Sequence, residues 1–340
     1  MKKKLIMFVS SVVPFIAIAD MAKITVVVCS AATGEPIENA RVTAWFDNNI
    51  GWLAWSEPTP IVTDIKVTDR NGFSRLEGKT NTGQVSVEVR NPPLGYYKSK
   101  GFSRRFEKKS LLGTWQPDNI VVTVALDRVE RPIPLYVKKC KFPTVDRTVE
   151  DISVVEKNAF AYDFVKGDWL PPWGKGVFKD VVFRRLPRED CGIGVNGRGQ
   201  TRPSFRDVVT IDFSGKGNGM VEMPVKSASE LKIRTAVVSG FISHYEQACG
   251  RGKDLQAFKT QNEAKCLCFR VRTKYDDKGN VIEAYYGKIY GDITIGWSFL
   301  GVSSVKFLYY LNPTPNDRNL EWNMKNNLCP NPGELGTIQP

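Results

Sequence analysis

His244 is the one histidine in 340 residues, so any Ser-His-Asp or Cys-His nucleophile must be built on it. Cys249 lies five residues further on, and no Gly-x-Ser-x-Gly elbow is present. A single histidine also excludes a zinc hydrolase with several histidine ligands. Gly192-Ile193-Gly194-Val195-Asn196-Gly197 spells a dinucleotide fingerprint, but no helix pattern follows to present its N-terminus to a pyrophosphate. It reads as a Gly-rich loop, and the chain offers no catalytic, cofactor-binding or metal-binding residue on local motifs. Paired carboxylates of a glycosidase can come from distant strands and leave no local signature, so a carbohydrate-active enzyme stands as the alternative class.

Cys29, Cys140, Cys191, Cys249, Cys266, Cys268 and Cys329 make an odd set of seven, so at least one is not paired within the chain. Cys266 and Cys268 sit two apart on one strand pattern, pointing to one side and badly spaced to bond each other. The expectation is at least one disulfide within 140–329, because the start of the chain reads as an export signal. Lys2, Lys3 and Lys4 precede an apolar run from Leu5 to Ile18, and Ala17-Ile18-Ala19 supplies small residues for cleavage after Ala19. That run is shorter than the roughly 20 residues a membrane helix needs, and no later segment has the length or apolarity. The expected mature chain is periplasmic or extracellular, with no membrane span and no nucleic acid partner.

The net charge of +12 falls to +9 once three lysines leave with the signal. Lys98, Lys100, Arg104, Arg105, Lys108 and Lys109 form one basic cluster, and Arg184, Arg185, Arg188, Arg198, Arg202 and Arg206 a second. Trp52 and Trp55 sit in a polar, Pro-containing loop, where tryptophans either stack on a ligand or fold back to cap a sandwich. Trp52, Trp55, Lys98, Lys100, Arg104 and Arg105 are the candidate ligand-binding set. An anionic glycan or cell-envelope polymer is the matching partner class.

The elements that must position these groups are strands. Leu267–Thr273 alternates, Asp276-Asp277-Lys278-Gly279-Asn280 is a turn, and Val281–Tyr286 returns as a hairpin. Val305–Leu311 adds a strand, and only Leu255–Ala264 has helical composition. Near the N-terminus, Ile24–Val28, the Gly34-Glu35-Pro36-Ile37 turn, Asn39-Ala40-Arg41-Val42 and Val67-Thr68-Asp69-Arg70-Asn71-Gly72-Phe73 occur in order. With Val85, Val87, Val89 and Pro93-Leu94-Gly95-Tyr96-Tyr97, the set resembles the carboxypeptidase regulatory-like domains. That resemblance spans about residues 23–128 and implies a small transthyretin-like β-sandwich serving as spacer, support or binding module, not an activity.

Asp163–Trp169, Tyr286–Asp292 and the run Asn312-Pro313-Thr314-Pro315-Asn316-Asp317-Arg318-Asn319-Leu320-Glu321 resemble uncharacterised secreted bacterial proteins in which a β-rich domain follows a regulatory-like one. Pro313 and Pro315 stiffen that run while Asp317 and Asn319 bond local amides, so it reads as a rigid clasp over the sheet. The expected organisation is a signal at 1–19, a β-sandwich at 20–128, a linker at 129–135 and a β-rich domain at 136–340. The expected fold class is all-β, a small transthyretin-like sandwich followed by a larger antiparallel sandwich-like domain. The expected role is a non-catalytic envelope or surface interaction protein, with a purely structural envelope component as a further alternative.

Overall fold

A computed structural model describes residues 21–47, 62–80, 82–93, 95–97, 99, 101–109, 115–142, 160–223, 233–260, 265–298 and 301–330. The expected signal and the Trp52/Trp55 loop lie outside them. The chain is all-β, with no helix among the described residues. It divides into two compact units: one holds the described residues up to Pro92 and Gly101–Ala125, the other those in Pro93–Lys100 and from Leu126 onward.

The first unit contains β1 (Met21–Ser30), β2 (Arg41–Phe46), β3 (Val62–Val67), β4 (Phe73–Lys79), β5 (Gln84–Asn91), β6 (Phe102–Arg105), β7 (Lys108–Lys109), β8 (Trp115–Gln116) and β9 (Asn119–Leu126). One sheet has the order β3-β2-β5-β6 and a second the order β4-β1-β9, while β7 and β8 pair separately. Period-2 alternation sends Ile24, Val26 and Val28, Val42, Ala44 and Phe46, and Val85, Val87 and Val89 into the interior. Phe46 joins the two inner faces so closely that a Cβ on Gly78 would lie 2.3 Å from its ring. The turn before β4 closes as its residues require. The Asp69 carboxylate accepts the amides of Asn71 and Phe73, each at 2.9 Å, and Gly72 takes a φ of +77° beneath the Val28 carbonyl. Asn71 contributes its backbone N–H to that turn.

The second unit contains β10 (Ile133–Lys141), β11 (Phe160–Asp163), β12 (Asp168–Trp169), β13 (Val181–Arg185), β14 (Glu189–Val195), β15 (Thr201–Phe213), β16 (Gly219–Met223), β17 (His244–Arg251), β18 (Ala257–Lys259), β19 (Cys266–Tyr275), β20 (Val281–Ser298), β21 (Gly301–Leu311) and β22 (Trp322–Asn327). Two sheets form, β16-β19-β20-β21-β10-β22 and β12-β11-β13-β15-β17-β18, with β14 also on β15. Their facing sides enclose an aromatic core. Phe164 stacks on Phe269 at 4.4 Å between centroids, and Tyr162 meets Trp169 edge-on at 4.9 Å. The β10–β22 pair is parallel, the exception to an otherwise antiparallel plan. Leu255–Lys259 is not helical: Leu255 takes a φ of +63° in a tight turn, and Ala257–Lys259 returns as β18 against β17.

The alternation expected for β19 marks a half-buried strand, yet its first six residues are all buried. Leu267, Phe269 and Val271 face the aromatic core, while Cys266 and Cys268 face a second cluster with Ile233, Ala236, Ala284 and Leu320. The segments 233–236 and 312–321 make that cover and bond to each other, Ala236 N–H to Arg318 O and Leu320 N–H to Arg234 O, both 2.8 Å. The proline-bearing run is thus a clasp. The Asn312 amide donates to Asp317 at 2.9 Å and to the Asn319 carbonyl at 2.8 Å, and Asp317 accepts the Asn319 amide at 3.0 Å. Glu321 ends it, accepting the buried Tyr97 hydroxyl at 2.9 Å and the Arg131 amide at 2.8 Å.

Covering this face buries Lys288 completely, with one hydrogen bond, to the Ile233 carbonyl at 3.0 Å, and the Tyr310 ring at 5.1 Å. Burial lowers its ammonium to about 8. Below that pH the folded and unfolded chains both hold the proton and folding carries the whole cost of the buried charge, on the order of 3 kcal/mol. As pH rises from 8 towards 10.5, only the unfolded chain holds it, so this group's contribution makes stability rise. Cys268 lies directly across from Lys288 with Cys266 beside it, and burial pushes their thiols up to about 11 and 12, which opposes the trend above about pH 9. Replacing Lys288→Met is therefore expected to raise the urea midpoint at pH 7 and to remove part of the gain in stability between pH 7 and 9. A lowered midpoint at pH 7 would show that the ammonium is net stabilising.

Candidate functional site

Two aspartates that the sequence does not associate come together in the second unit. Asp163 and Asp180 are both nearly fully buried and converge on the guanidinium of Arg272. Arg272 Nη2 lies 2.5 Å from Asp163 Oδ1, Nε lies 3.0 Å from Asp180 Oδ1, and the Phe178 ring covers the group at 4.4 Å. The remaining capacity of Asp163 is taken by the amides of Lys166, Val177 and Phe178, and Asp180 accepts the Phe164 amide at 2.9 Å. Burial raises Asp180 while its bonds to Arg272 pull the other way. A glycosidase needs an acid and a base facing each other across room for substrate. Here both carboxylates are bound to one cation, so the trio ties the 163–180 turns to β19 and lacks the gap that a glycosidase pair needs. Arg272 takes a φ of +56° at a register shift in β19, a conformation rare for a residue with a Cβ, which its fork of bonds holds in place.

His244 is exposed on β17, and Asp212 faces it across the strand pair on β15. Its Nδ1 lies 2.6 Å from Asp212 Oδ1, the orienting half of a nucleophile triad, but its Nε2 faces Glu246 Oε1 at 3.4 Å. A carboxylate stands where a triad needs a hydroxyl or thiol. Cys249, an odd number of residues along the same strand, is buried away from the exposed imidazole. Bonding to Asp212 raises the His244 pKa. Gly192–Gly197 belongs to β14 and its turn, where Asn196 Oδ1 accepts the Arg198 and Gln200 amides at 3.0 Å.

The expected disulfide is absent: none of the seven cysteines is bonded to another. Placement accounts for the Cys266/Cys268 pair. Cys266 and Cys268 lie side by side on one strand face, while Cys140 is within the aromatic core with its Sγ 2.9 Å from the Tyr162 hydroxyl. Burial pushes the Cys140 thiol well up, so it is protonated and unreactive at neutral pH.

Of the expected ligand-binding set, Trp52, Trp55, Lys98 and Lys100 lie outside the described residues. Arg104 and Arg105 are exposed on β6, the edge of its sheet, with the Arg104 guanidinium 5.4 Å from the Phe102 ring. The second basic cluster is partly spent internally: Arg188 makes a two-pronged bond to buried Asp207 at 3.0 and 2.7 Å, and Arg206 meets Glu189 at 3.4 Å. Arg184, Arg198 and Arg202 are exposed.

Sequence reasoning overlooked an open groove of about 620 Å³ on the first unit, on the outward side of β4-β1-β9. Lys23, Thr25, Phe73, Arg75, Glu77, Asn119 and Val121 line it, with Lys66 of β3 at its rim. Lys66 is occupied, 2.7 Å from the Arg75 carbonyl and 3.4 Å from Asp64. The signal was available: the alternation that turns Ile24 and Leu76 inward turns Lys23 and Arg75 outward. Among the described residues, no group of three His, Cys, Asp or Glu side chains could hold a metal ion, and no helix is long and apolar enough to cross a membrane.

No family model and no curated protein matches the chain. Among solved structures it is similar to a streptococcal ancillary pilin at 10% identity and a TM-score of 0.23, over 84% of this chain and 58% of that one. It is also similar to the shaft pilin SpaA of Lactobacillus rhamnosus GG, at 12% identity and a TM-score of 0.22 over 85% and 92% of the two chains. A DUF3823 family protein from Parabacteroides merdae gives 7% identity and 0.22 over 85% and 96%. At TM-scores and identities this low, the likenesses carry no argument about role.

Arg272→Met should destabilise the chain by about 3–5 kcal/mol, because two buried carboxylates lose their cation. Denaturant unfolding at pH 7 checks it, and a loss below about 1 kcal/mol would mean that the carboxylates do not depend on Arg272. His244→Gln should cost little, since the pair is exposed. With its folded pKa raised, the His244 contribution is complete below about pH 6.5 and disappears as pH rises through the folded value, so wild type and variant should converge in stability above that value.

Proposed function

We propose that this chain is a non-catalytic, exported interaction protein that engages an anionic glycan or cell-envelope polymer through exposed cations. The observation that carries the reading is the division of charge. The buried acids Asp163, Asp180, Asp207 and Glu321 are consumed by internal bonds, whereas Lys23, Arg75, Arg104 and Arg105 stand outside the core on strand faces. The N-terminal lysines and apolar run support export, and the overall charge of +12 favours an anionic partner. The resemblance of residues 23–128 to the carboxypeptidase regulatory-like domains supports the same role, since such domains serve as supports and binding modules.

Attraction between exposed charges weakens as the Debye length shrinks from about 10 Å at 0.1 M salt to about 3 Å at 1 M. Binding of acidic polysaccharides, followed by calorimetry, is expected at 0.1 M salt and should fall steeply at 1 M, with neutral polysaccharides bound weakly or not at all. A parallel hydrolysis screen decides the class. Turnover abolished by one Asp or Glu substitution would establish an enzyme, and equal binding of neutral and acidic chains would remove the electrostatic basis of the reading.

A further inference from the structure

We propose that the groove on the outward face of β4-β1-β9 seats a uronate-bearing polysaccharide, with a sugar ring over Phe73 and its carboxylate on the Arg75 guanidinium. This rests on the anionic-partner reading and names a site and a ligand class for it. Strand register fixes the arrangement: Phe73 lies opposite Val27, Arg75 opposite Thr25 and Glu77 opposite Lys23. All stand on one face, because residues two apart on a strand share a side at about 6.5–7 Å. Ring and cation are therefore consecutive positions along one line.

Phe73 is 41% exposed and Val121 62%, large apolar groups on a sheet face that the described residues leave open. Neither Arg75 nor Lys23 has an ion-pair partner among the described residues, and Glu77 is the one acid lining the groove. The Lys66 ammonium is spent on the Arg75 carbonyl and Asp64, which holds that strand in place and leaves the Arg75 fork to be filled from outside. A carboxylate matches a guanidinium with two parallel bonds. At the far side of β1, the Asn119 amide donates 3.0 Å to the Thr25 hydroxyl, and its second N–H is available for a sugar hydroxyl. A flat apolar ring beside a planar cation and an amide fits a pyranose that carries a carboxylate. An extended acidic peptide would use the cations but gain little from the exposed ring.

The test uses the full chain with three probes: an oligogalacturonate, dextran sulfate and poly-glutamate. Arg75→Ala should weaken oligogalacturonate binding about tenfold or more at 0.1 M salt, as expected for loss of a charge-assisted bidentate contact. Phe73→Ala should weaken it several-fold and keep doing so at 1 M salt, where the Arg75 effect shrinks. Lys278→Ala, an exposed turn cation of the other unit, should leave this affinity within about twofold, the spread expected of surface charges outside the site. Thermal melts confirm that each variant is folded, and Arg75→Lys tests the fork, since a point charge should restore only part of the affinity. Loss on Arg104/Arg105 substitution with intact binding in the groove variants overturns the site but preserves the anionic-partner reading. Poly-glutamate or dextran sulfate bound as tightly as oligogalacturonate overturns the uronate assignment, and failure of all three probes to bind overturns both proposals.

Discussion

A sheet covered on both faces must bury something other than side chains of its own sandwich partner. In the second unit the six-stranded sheet faces the aromatic core on one side, and on the other it is covered by 233–236 and 312–321, segments without regular strand ladders. A cover of that kind carries backbone amides and carbonyls into the interior, where each unpaired group costs as much as a lost hydrogen bond. The chain meets this with short polar side chains. Asn312, Asn316, Asp317 and Asn319 serve the local amides and carbonyls, and the Asn316 carboxamide also reaches both the amide of Ala284 and the carbonyl of Ile282 on the sheet. Asn316 adopts a φ of +64°, a left-handed turn that asparagine tolerates better than most residues.

The same constraint accounts for the buried charges. Once the second face is closed, polar groups on it must pair, neutralise or bear the cost of burial. Glu321 pairs, taking the amides of Glu130 and Arg131 and the Tyr97 hydroxyl, so that Tyr97 and residues 130–131 close around it. Arg270 pairs with the carbonyl of Gly217 at 2.7 Å and lies over the Phe241 ring. Lys288 has one carbonyl and an aromatic face, and its acidity shifts accordingly. Further along β19, Arg272 answers two carboxylates at once, and removing either aspartate would change the environment of the other. Glu321, Arg270, Lys288 and Arg272 are therefore spent on holding a two-faced sheet closed.

What could be read in the sequence followed from short-range rules. The Asp276 turn closes as its residues dictate, with its carboxylate accepting the amides of Lys278 and Asn280 and Gly279 at a φ of +83°. The Asp69 turn, the inward Val85, Val87 and Val89, the shared side of Cys266 and Cys268 and the clasp at 312–321 were legible for the same reason: each is decided by residues within one turn or one strand. Features that depend on long-range pairing were not. Asp163 and Asp180 are 109 and 92 residues from Arg272, and no local pattern marks three residues as partners. His244 was the one residue on which a nucleophile triad could be built, but its partner Asp212 is fixed by the β15–β17 register, which local sequence does not reveal. Of the helix expected at Leu255–Ala264, the described residues 255–260 form a hairpin return that outweighs composition, and the burial of the first six residues of β19 was hidden because alternation reports two different sides, not which of them meets water.

The groove on the first unit lies between these two cases. Its outward residues are set by alternation, a local property, but their convergence depends on which strands become neighbours. Phe73 and Arg75 belong to β4, and the strand beside it is β1, fifty residues away by register from Thr25 to Arg75. A reader of sequence sees Lys23 and Arg75 as ordinary solvated charges, because either alone on a strand face is one. Placed across a strand pair, with one acid among them and an exposed aromatic ring two positions along, the same residues form one continuous outward surface. The composition of that surface therefore resides in register, and a one-residue slip of β4 against β1 would turn Arg75 into the core and empty the groove of its cation.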